Sequence, residues 1–208
     1  MTTPLGSIEI LGQTGRCIQI RRRTRETDIT VRLDLDGSGS AEVATGIGML
    51  DHLLTSLAHH GLFDLRLSAS GDLHVDEHHT TEDAALVLGA ALDRALGDRA
   101  GIQRFGDATV PMDESLATAA IDVGGRPYAV IDLPFRGERI GALPTQMVEH
   151  ALEAFARASG STLHLRGSGR NDHHLAEAAF KALARALQAA CKPDPRRAGV
   201  ASTKGVSG

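Results

Sequence analysis

The sequence contains few of the residues that mark zinc-finger, disulfide-rich or membrane proteins. It has no tryptophan, one tyrosine and two cysteines in 208 residues. Cys17 and Cys191 lie outside any Cys-x-x-Cys pattern, which argues against a structural zinc site and favours a reducing compartment, the cytoplasm. Long apolar runs are also missing, since Gly89 interrupts the run over residues 87–92, and this excludes a membrane-spanning helix. The N-terminus lacks a basic region followed by an apolar one, so no signal peptide is expected.

A strong charge of one sign is absent as well. The formal net charge is -4, which gives no indication of a surface that binds nucleic acid or another polyanion. Hydrophobic residues make up 42% of the chain, enough for a substantial core in one large domain or two small ones. The abundant residue is histidine, with ten copies, and six of these stand beside acidic residues in short clusters.

The histidine clusters include two nearly identical strings. The sequence reads EHHTTED over residues 77–83 and NDHHLAE over residues 171–177, so His-His-x-x-Glu occurs twice. An acid-histidine pair precedes each string, with His52 in the first case and His150 in the second. This repetition indicates an internal duplication that carries the same chemistry in both halves.

The order of the predicted elements repeats in the same way. In the first half, hydrophobic alternation predicts strands over 29–36 and 63–70, and helical spacing predicts helices over 49–61 and 80–96. In the second half, the same criteria predict strands over 116–123, 127–133 and 161–168, and helices over 144–159 and 173–190. We infer a duplicated α+β unit that forms a single two-lobed domain. Its predicted divisions are a loose arm over 1–15, half-repeats over 16–100 and 101–192, and a tail over 193–208.

The geometry of His-His-x-x-Glu favours two metal ions. On a helix each glutamate shares a face with one histidine of its own string, whereas adjacent histidines point about 100° apart. One ion cannot easily take both histidines, but a pair of ions can take one each. The proposed ligands form two sets of three imidazoles and one carboxylate, drawn from His52, His78, His79, Glu82, His150, His173, His174 and Glu177. Such a donor set suits Mn, Fe, Co or Zn and leaves coordination positions open.

Several longer motifs carry a family resemblance. They are GIGMLDHLLTSLAHHG, DEHHTTEDAALVLG, GIQRFGDATVPMDESLA, DVGGRPY, NDHHLAEAAFKALARAL and ASTKG, in that order along the chain. Together they resemble the imidazoleglycerol-phosphate dehydratase family from about Arg21 to Gly205. The resemblance implies two four-stranded sheets, each covered by helices, in the ribosomal S5 domain 2-like fold. It further implies two manganese ions per active site, with the eight residues above as ligands, and a homo-oligomer of about twenty-four chains with sites at subunit contacts.

The resemblance also implies the reaction and the remaining site residues. The family dehydrates D-erythro-imidazole glycerol phosphate to imidazole acetol phosphate in histidine biosynthesis, with the metals stabilising an imidazolate and a diazafulvene. Glu26 matches the residue that contacts the substrate as an acid-base group, and Glu177 is a second candidate. The residues expected to bind the substrate phosphate are Arg104, Arg126, Lys181, Ser202 and Lys204.

Two other functions fit part of the pattern. A di-metal hydrolase would share the ligands and the phosphate-binding cations, although such enzymes favour bridging carboxylates over an imidazole-rich site. A metal-storing or metal-delivering protein would share the ligands, but it would have no use for Arg104, Arg126 and the ASTKG tail. A turnover assay with imidazole glycerol phosphate separates these functions.

Overall fold

The structure, a computed structural model, describes residues 7–205. Its first half contains β1 (Ile8–Thr14), β2 (Cys17–Arg23), β3 (Thr27–Asp34), β4 (Ala41–Ala44), α1 (Gly48–Gly61), β5 (Asp64–Gly71) and α2 (His78–Leu96). Its second half contains β6 (Phe105–Met112), β7 (Ser115–Asp122), β8 (Tyr128–Asp132), β9 (Arg139–Ile140), β10 (Leu143–Pro144), α3 (Thr145–Ser159), β11 (Thr162–Ser168) and α4 (Asp172–Cys191). None of the helices within these residues is long and apolar enough to cross a membrane.

The two halves have the same topology, which confirms the predicted α+β duplication. The first sheet has the order β1-β2-β3-β5-β4 and the second has β6-β7-β11-β8, so β2-β3-β5-β4 and β6-β7-β11-β8 are equivalent. In each half the last two strands in this order are parallel and the others are antiparallel. The short β9 and β10 form a separate hairpin before α3.

The helices pack between the two sheets and join the halves. Helices α1 and α2 contact the first sheet, α3 and α4 contact the second, α1 packs on α4, and α2 packs on α3. Close approach of α2 and α3 depends on Gly89, because a Cβ there would lie 2.6 Å from the carbonyl oxygen of Phe155. The core therefore lies in the helical layer and on the inner faces of both sheets.

The prediction of a loose arm over residues 1–15 was wrong for residues 8–14. These residues form β1, which pairs antiparallel with β2 and makes the first sheet five-stranded. The strand lies at the sheet edge, where Ile10 and Leu11 are both exposed, so backbone pairing with β2 holds it more than burial of its side chains. Residues 1–6 lie outside the described part of the chain.

Strand β6 is also absent from the prediction, as are β2, β4, β9 and β10. Its inner-face residues include Gly106 and Ala108, which are too small to produce a strong apolar alternation. A glycine is required at position 106 because α4 passes close to the strand, and a Cβ there would lie 2.0 Å from the carbonyl oxygen of Ala186. Small residues in the first half of this face let the backbone of the helix approach the sheet closely.

Candidate metal and substrate site

Both His-His-x-x-Glu strings lie in the first turns of equivalent helices. Helix α2 begins at His78, whose backbone N–H donates to Asp76 Oδ1 at 2.8 Å. Helix α4 begins at Asp172, and the side chain of Asn171 caps it by accepting from the N–H groups of His173 at 3.0 Å and His174 at 3.4 Å. The Asn171 cap of α4 and the Asp76 contact before α2 hold the first turn of each helix, and therefore the histidines, in a defined orientation.

The His173 cluster consists of His52, His173 and Glu177. The Nε2 atoms of His52 and His173 lie 2.8 Å and 2.9 Å from the same carboxylate atom, Glu177 Oε1. Lys181 Nζ lies 2.6 Å from the other oxygen, Oε2. Burial by itself would raise the pKa of Glu177, but hydrogen bonds from Lys181, His52 and His173 outweigh it and lower that pKa to about 2. The glutamate is therefore an anion across the physiological pH range.

The His78 cluster consists of His78, Glu82 and His150. Glu82 Oε2 lies 3.7 Å from His78 Nε2 and 3.5 Å from His150 Nε2, and the two imidazole rings are 5.1 Å apart. His150 Nε2 is buried without a hydrogen-bond partner within residues 7–205. A buried imidazole nitrogen without a partner is costly, and it indicates a ligand atom that a metal ion would satisfy.

Each cluster combines residues from both halves of the chain. His52 lies on α1 and meets two residues of α4, whereas His150 lies on α3 and meets two residues of α2. The packing of α1 on α4 and of α2 on α3 explains this exchange. The sequence left open which acid-histidine helix would serve which string, because the pairing depends on contacts between distant segments.

His79 and His174 do not join the clusters of their own chain. His79 Nδ1 donates to Asp72 Oδ2 at 2.9 Å, and His174 Nδ1 donates to Glu114 Oε2 at 3.0 Å. These hydrogen bonds raise the pKa of both imidazoles and lower the pKa of Glu114 to about 2. A carboxylate on Nδ1 commonly orients a metal-binding histidine and leaves Nε2 free for the metal.

The residues present fit divalent transition metals. Each cluster offers two imidazole nitrogens and a carboxylate oxygen within 4.8 Å of one another, a donor set that suits Mn, Fe, Co or Zn. Each cluster therefore brings together two of the three imidazoles that were predicted for its site. Asp72 and Glu114 orient His79 and His174. The sequence shows them only as acidic residues in turns, so it did not predict this role.

Glu26 lies in the turn between β2 and β3, beside the first histidine string. Its Oε2 atom is 4.0 Å from His79 Nδ1, and its side chain is about half exposed. It lines a cleft of about 640 Å3 together with His79, Glu82 and the cationic Arg22 and Arg157. Glu26 is thus an accessible carboxylate next to predicted metal ligands, as an acid-base group requires.

Four of the five predicted phosphate-binding residues line one cleft of about 330 Å3, namely Arg104, Arg126, Ser202 and Lys204. Asp122 holds Arg104 in place through bonds of 2.7 Å to Nε and 2.9 Å to a terminal nitrogen. The third guanidinium nitrogen donates to the carbonyl oxygen of Ala201 at 2.6 Å and so fixes the tail. Residues 206–208, which end the tail, lie outside the described part of the chain.

Lys181 is the exception, because it lies away from this cleft. Its Nζ atom contacts Glu177 and lies 3.4 Å from Met112 Sδ, at the far end of β6 from Phe105 and Arg104. Seven residue steps of about 3.3 Å separate the ends of this strand by roughly 23 Å. Lys181 and the Arg104 cleft therefore lie at opposite ends of β6.

Comparisons with known proteins agree with this geometry. A family model described as imidazoleglycerol-phosphate dehydratase matches residues 45–187. The chain is 53% identical over 195 residues to the imidazoleglycerol-phosphate dehydratase of Gluconacetobacter diazotrophicus, covering 93% of this chain and 98% of that protein. It is 52% identical over 190 residues to the chloroplastic imidazoleglycerol-phosphate dehydratase of Pisum sativum, covering 90% of this chain and 68% of that protein.

Two solved structures are also similar. The crystal structure of imidazoleglycerol-phosphate dehydratase from Staphylococcus aureus superposes with a TM-score of 0.77 at 33% identity, covering 85% of this chain and 98% of that one. The structure of IGPD from Pyrococcus furiosus in complex with (S)-C348 superposes with a TM-score of 0.78 at 37% identity, covering 89% of this chain and 99% of that one.

Proposed function

The chain belongs to the imidazoleglycerol-phosphate dehydratase family, and from this membership we propose its activity. The enzyme is a hydro-lyase that converts D-erythro-imidazole glycerol phosphate to imidazole acetol phosphate in histidine biosynthesis. The observation that carries this proposal is the pair of equivalent histidine-glutamate clusters in a chain that also has a separate cationic cleft. A cytoplasmic location stays a prediction.

Two manganese ions per active site are the proposed cofactors. The His78 and His173 clusters would each hold one ion, with His79 and His174 completing the sets. When bound, the ions would supply Lewis acidity at the substrate's imidazole ring. The protein's part is to orient the imidazoles, which Asp72 and Glu114 do for His79 and His174 by accepting from Nδ1 and leaving Nε2 for the metal. The unpartnered His150 Nε2 supports this assignment.

Glu26 is the proposed acid-base group. Removal of water requires a base for the carbon proton and an acid for the departing hydroxyl. The Glu26 carboxylate is exposed in a cleft beside His79, so it can reach a substrate whose ring lies at the ligands. Glu177 is the weaker candidate, because Lys181, His52 and His173 already occupy its oxygens and hold its pKa at about 2.

The substrate phosphate would bind in the cleft of Arg104, Arg126, Ser202 and Lys204. Arg126 is largely exposed and lies 3.6 Å from Asp122, so its guanidinium can turn towards an anion. Arg104 is held more rigidly by the same aspartate. Cations and hydroxyl donors around a small cleft form charge-assisted bonds with phosphate oxygens.

An assembly of about twenty-four chains, with active sites at subunit contacts, is proposed on the same grounds. The roughly 23 Å between the Arg104 and Met112 ends of β6 supports a site that is shared between chains. In such a site, Lys181 and the His173 cluster of one copy would meet the cationic cleft of another. A closed symmetric assembly allows every copy to contribute both parts.

The test is a turnover assay with imidazole glycerol phosphate, run on chelated protein with and without added Mn²⁺. We expect formation of imidazole acetol phosphate only with the metal. Glu26→Gln should bind metal normally but lose turnover by at least about a hundredfold, whereas Glu42→Gln, an exposed glutamate paired with Arg66, should keep wild-type turnover. Metal binding without turnover would indicate a storage protein, and release of phosphate would indicate a hydrolase.

A further inference from the structure

The duplicated halves differ at the turn that carries Glu26. In the second half, the equivalent turn contributes Glu114, whose carboxylate accepts the Nδ1–H of His174 at 3.0 Å. In the first half this role falls to Asp72, at 2.9 Å from His79 Nδ1, whereas Glu26 is 4.0 Å away. Glu26 therefore makes no hydrogen bond that orients its histidine, and the position of its turn depends on other contacts.

A buried network links the Glu26 turn to α2. Thr27 Oγ1 donates to Asp83 Oδ2 at 2.5 Å, and Arg22 lies 2.5 Å from the same oxygen. Asp83 and Thr27 are both buried. The hydroxyl of Thr24 lies 3.1 Å from Thr27 Oγ1 and accepts from the backbone N–H groups of Glu26 at 3.1 Å and Thr27 at 2.9 Å.

The second half has no such network. Asp83 follows Glu82 directly, and the residue that follows Glu177 is Ala178. The strand position equivalent to Thr27 is Ser115, whose hydroxyl donates to the adjacent Glu114 and not to α4. Burial of a carboxylate is costly unless partners satisfy it. The buried Asp83 carboxylate has no counterpart in the second half, and this indicates a role specific to the Glu26 turn.

We propose that Asp83, acting through Thr27 and Thr24, is a positioning residue that fixes the Glu26 carboxylate relative to the metal-binding face of α2. This inference rests on the proposed acid-base role of Glu26. Asp83 lies one residue from Glu82 and four from His79, so the network joins the turn to the helix turn that carries the ligands. A rigid link of this kind sets the distance over which Glu26 transfers a proton.

The test compares Thr27→Val, which removes the hydroxyl and keeps the shape, with Thr27→Ser, which keeps the hydroxyl. We expect Thr27→Val to lower kcat by about ten- to a hundredfold, with unchanged KM, manganese content and particle size. Thr27→Ser should restore most of kcat. Thr118→Val is the matched control, because it removes an exposed hydroxyl pair with Thr109 at 3.0 Å on the second sheet, and it should leave kcat unchanged.

If Thr27→Val does not fold, the exposed Thr24→Ala replaces it, with Thr24→Ser as the conservative variant. Wild-type kcat in the variant without the hydroxyl, or equal loss in both members of a pair, would overturn the proposal. A double variant with Glu26→Gln locates the effect, since Thr27→Val should cost nothing further once Glu26 is gone. Additive losses of kcat would show that the network does not act through Glu26 and would overturn the proposal. A fully active Glu26→Gln would instead refute the acid-base role of Glu26.

Discussion

At the scale of residues, the two histidines outside the clusters are the most informative ligands. His79 and His174 are oriented by Asp72 and Glu114 through Nδ1, which leaves their Nε2 atoms for a metal of another copy in the proposed shared site. We expect His79→Ala and His174→Ala to lower metal content and to reduce turnover by more than about a hundredfold. Elemental analysis beside kinetics checks this, with His59→Ala on α1 as the control. Full metal occupancy in both variants would contradict the two-site arrangement.

The tail contributes a second prediction about a single side chain. Lys204 lines the cationic cleft, and one charge-assisted contact to phosphate contributes about 1.5–3 kcal/mol. Lys204→Ala should therefore reduce kcat/KM by about ten- to a hundredfold, at about 1.4 kcal/mol per decade. Manganese content should stay unchanged, because no ligand is lost. Wild-type kcat/KM in this variant would show that the tail does not contact the substrate.

At the scale of elements, one carboxylate holds the connection between β3 and β4. Asp64, the first residue of β5, accepts with Oδ1 from the backbone N–H groups of Ser38 at 2.8 Å, Gly39 at 3.1 Å and Ser40 at 3.0 Å. These bonds lower its pKa. Their contribution to stability is therefore complete above the ordinary aspartate pKa of about 3.9 and is lost as the pH falls through the lowered folded value.

Asp64→Asn tests this connection. The neutral amide is a weaker acceptor, so the variant should lose about 1 kcal/mol of unfolding free energy at pH 7, allowing for solvent screening. The difference from wild type should stay constant down to about pH 5 and shrink below about pH 3.9. Urea unfolding of chelated protein at several pH values measures it. A difference that grows towards low pH would have the wrong sign for a depressed pKa.

At the scale of the whole molecule, metal binding and assembly should be coupled. If the ligands of one ion come from two chains, metal binding favours the assembled state by mass action. Chelation with EDTA should therefore shrink the particle, and addition of Mn²⁺ should restore it, as light scattering can show. A large particle that EDTA leaves intact would count against this coupling but not against the enzymatic assignment.

Complementation between variants tests the shared site directly. Glu177→Gln damages the His173 cluster, and Arg104→Ala damages the phosphate cleft, at opposite ends of β6. Each homo-oligomer should be nearly inactive. Dissociating a mixture and reassembling it should recover activity, because some sites then receive an intact cluster from one chain and an intact cleft from another. Mixtures that remain inactive would mean that both parts come from the same chain.

The sequence by itself predicted the donor residues of the two clusters and determined the duplicated α+β architecture. Both follow from local information, since residue types within His-His-x-x-Glu define the donors and alternation within short segments defines most strands and helices. The strands absent from the prediction are β1, β2, β4, β6, β9 and β10. The edge strand β1 and the short β4, β9 and β10 bury few large apolar side chains, and β6 carries Gly106 where α4 passes close to it. Strand β2 does bury Ile18 and Ile20, but the three arginines that follow leave only a short alternation.

Only the tertiary structure decided how the site residues combine. The pairing of His52 with α4 and of His150 with α2 depends on which helices pack together across the halves. The separation of Lys181 from the Arg104 cleft likewise depends on the length of β6 and not on spacing in the sequence. Local sequence patterns specify the secondary structure and the side chains of each segment. The contacts between segments more than a hundred residues apart are set by burial of the hydrophobic core that they share.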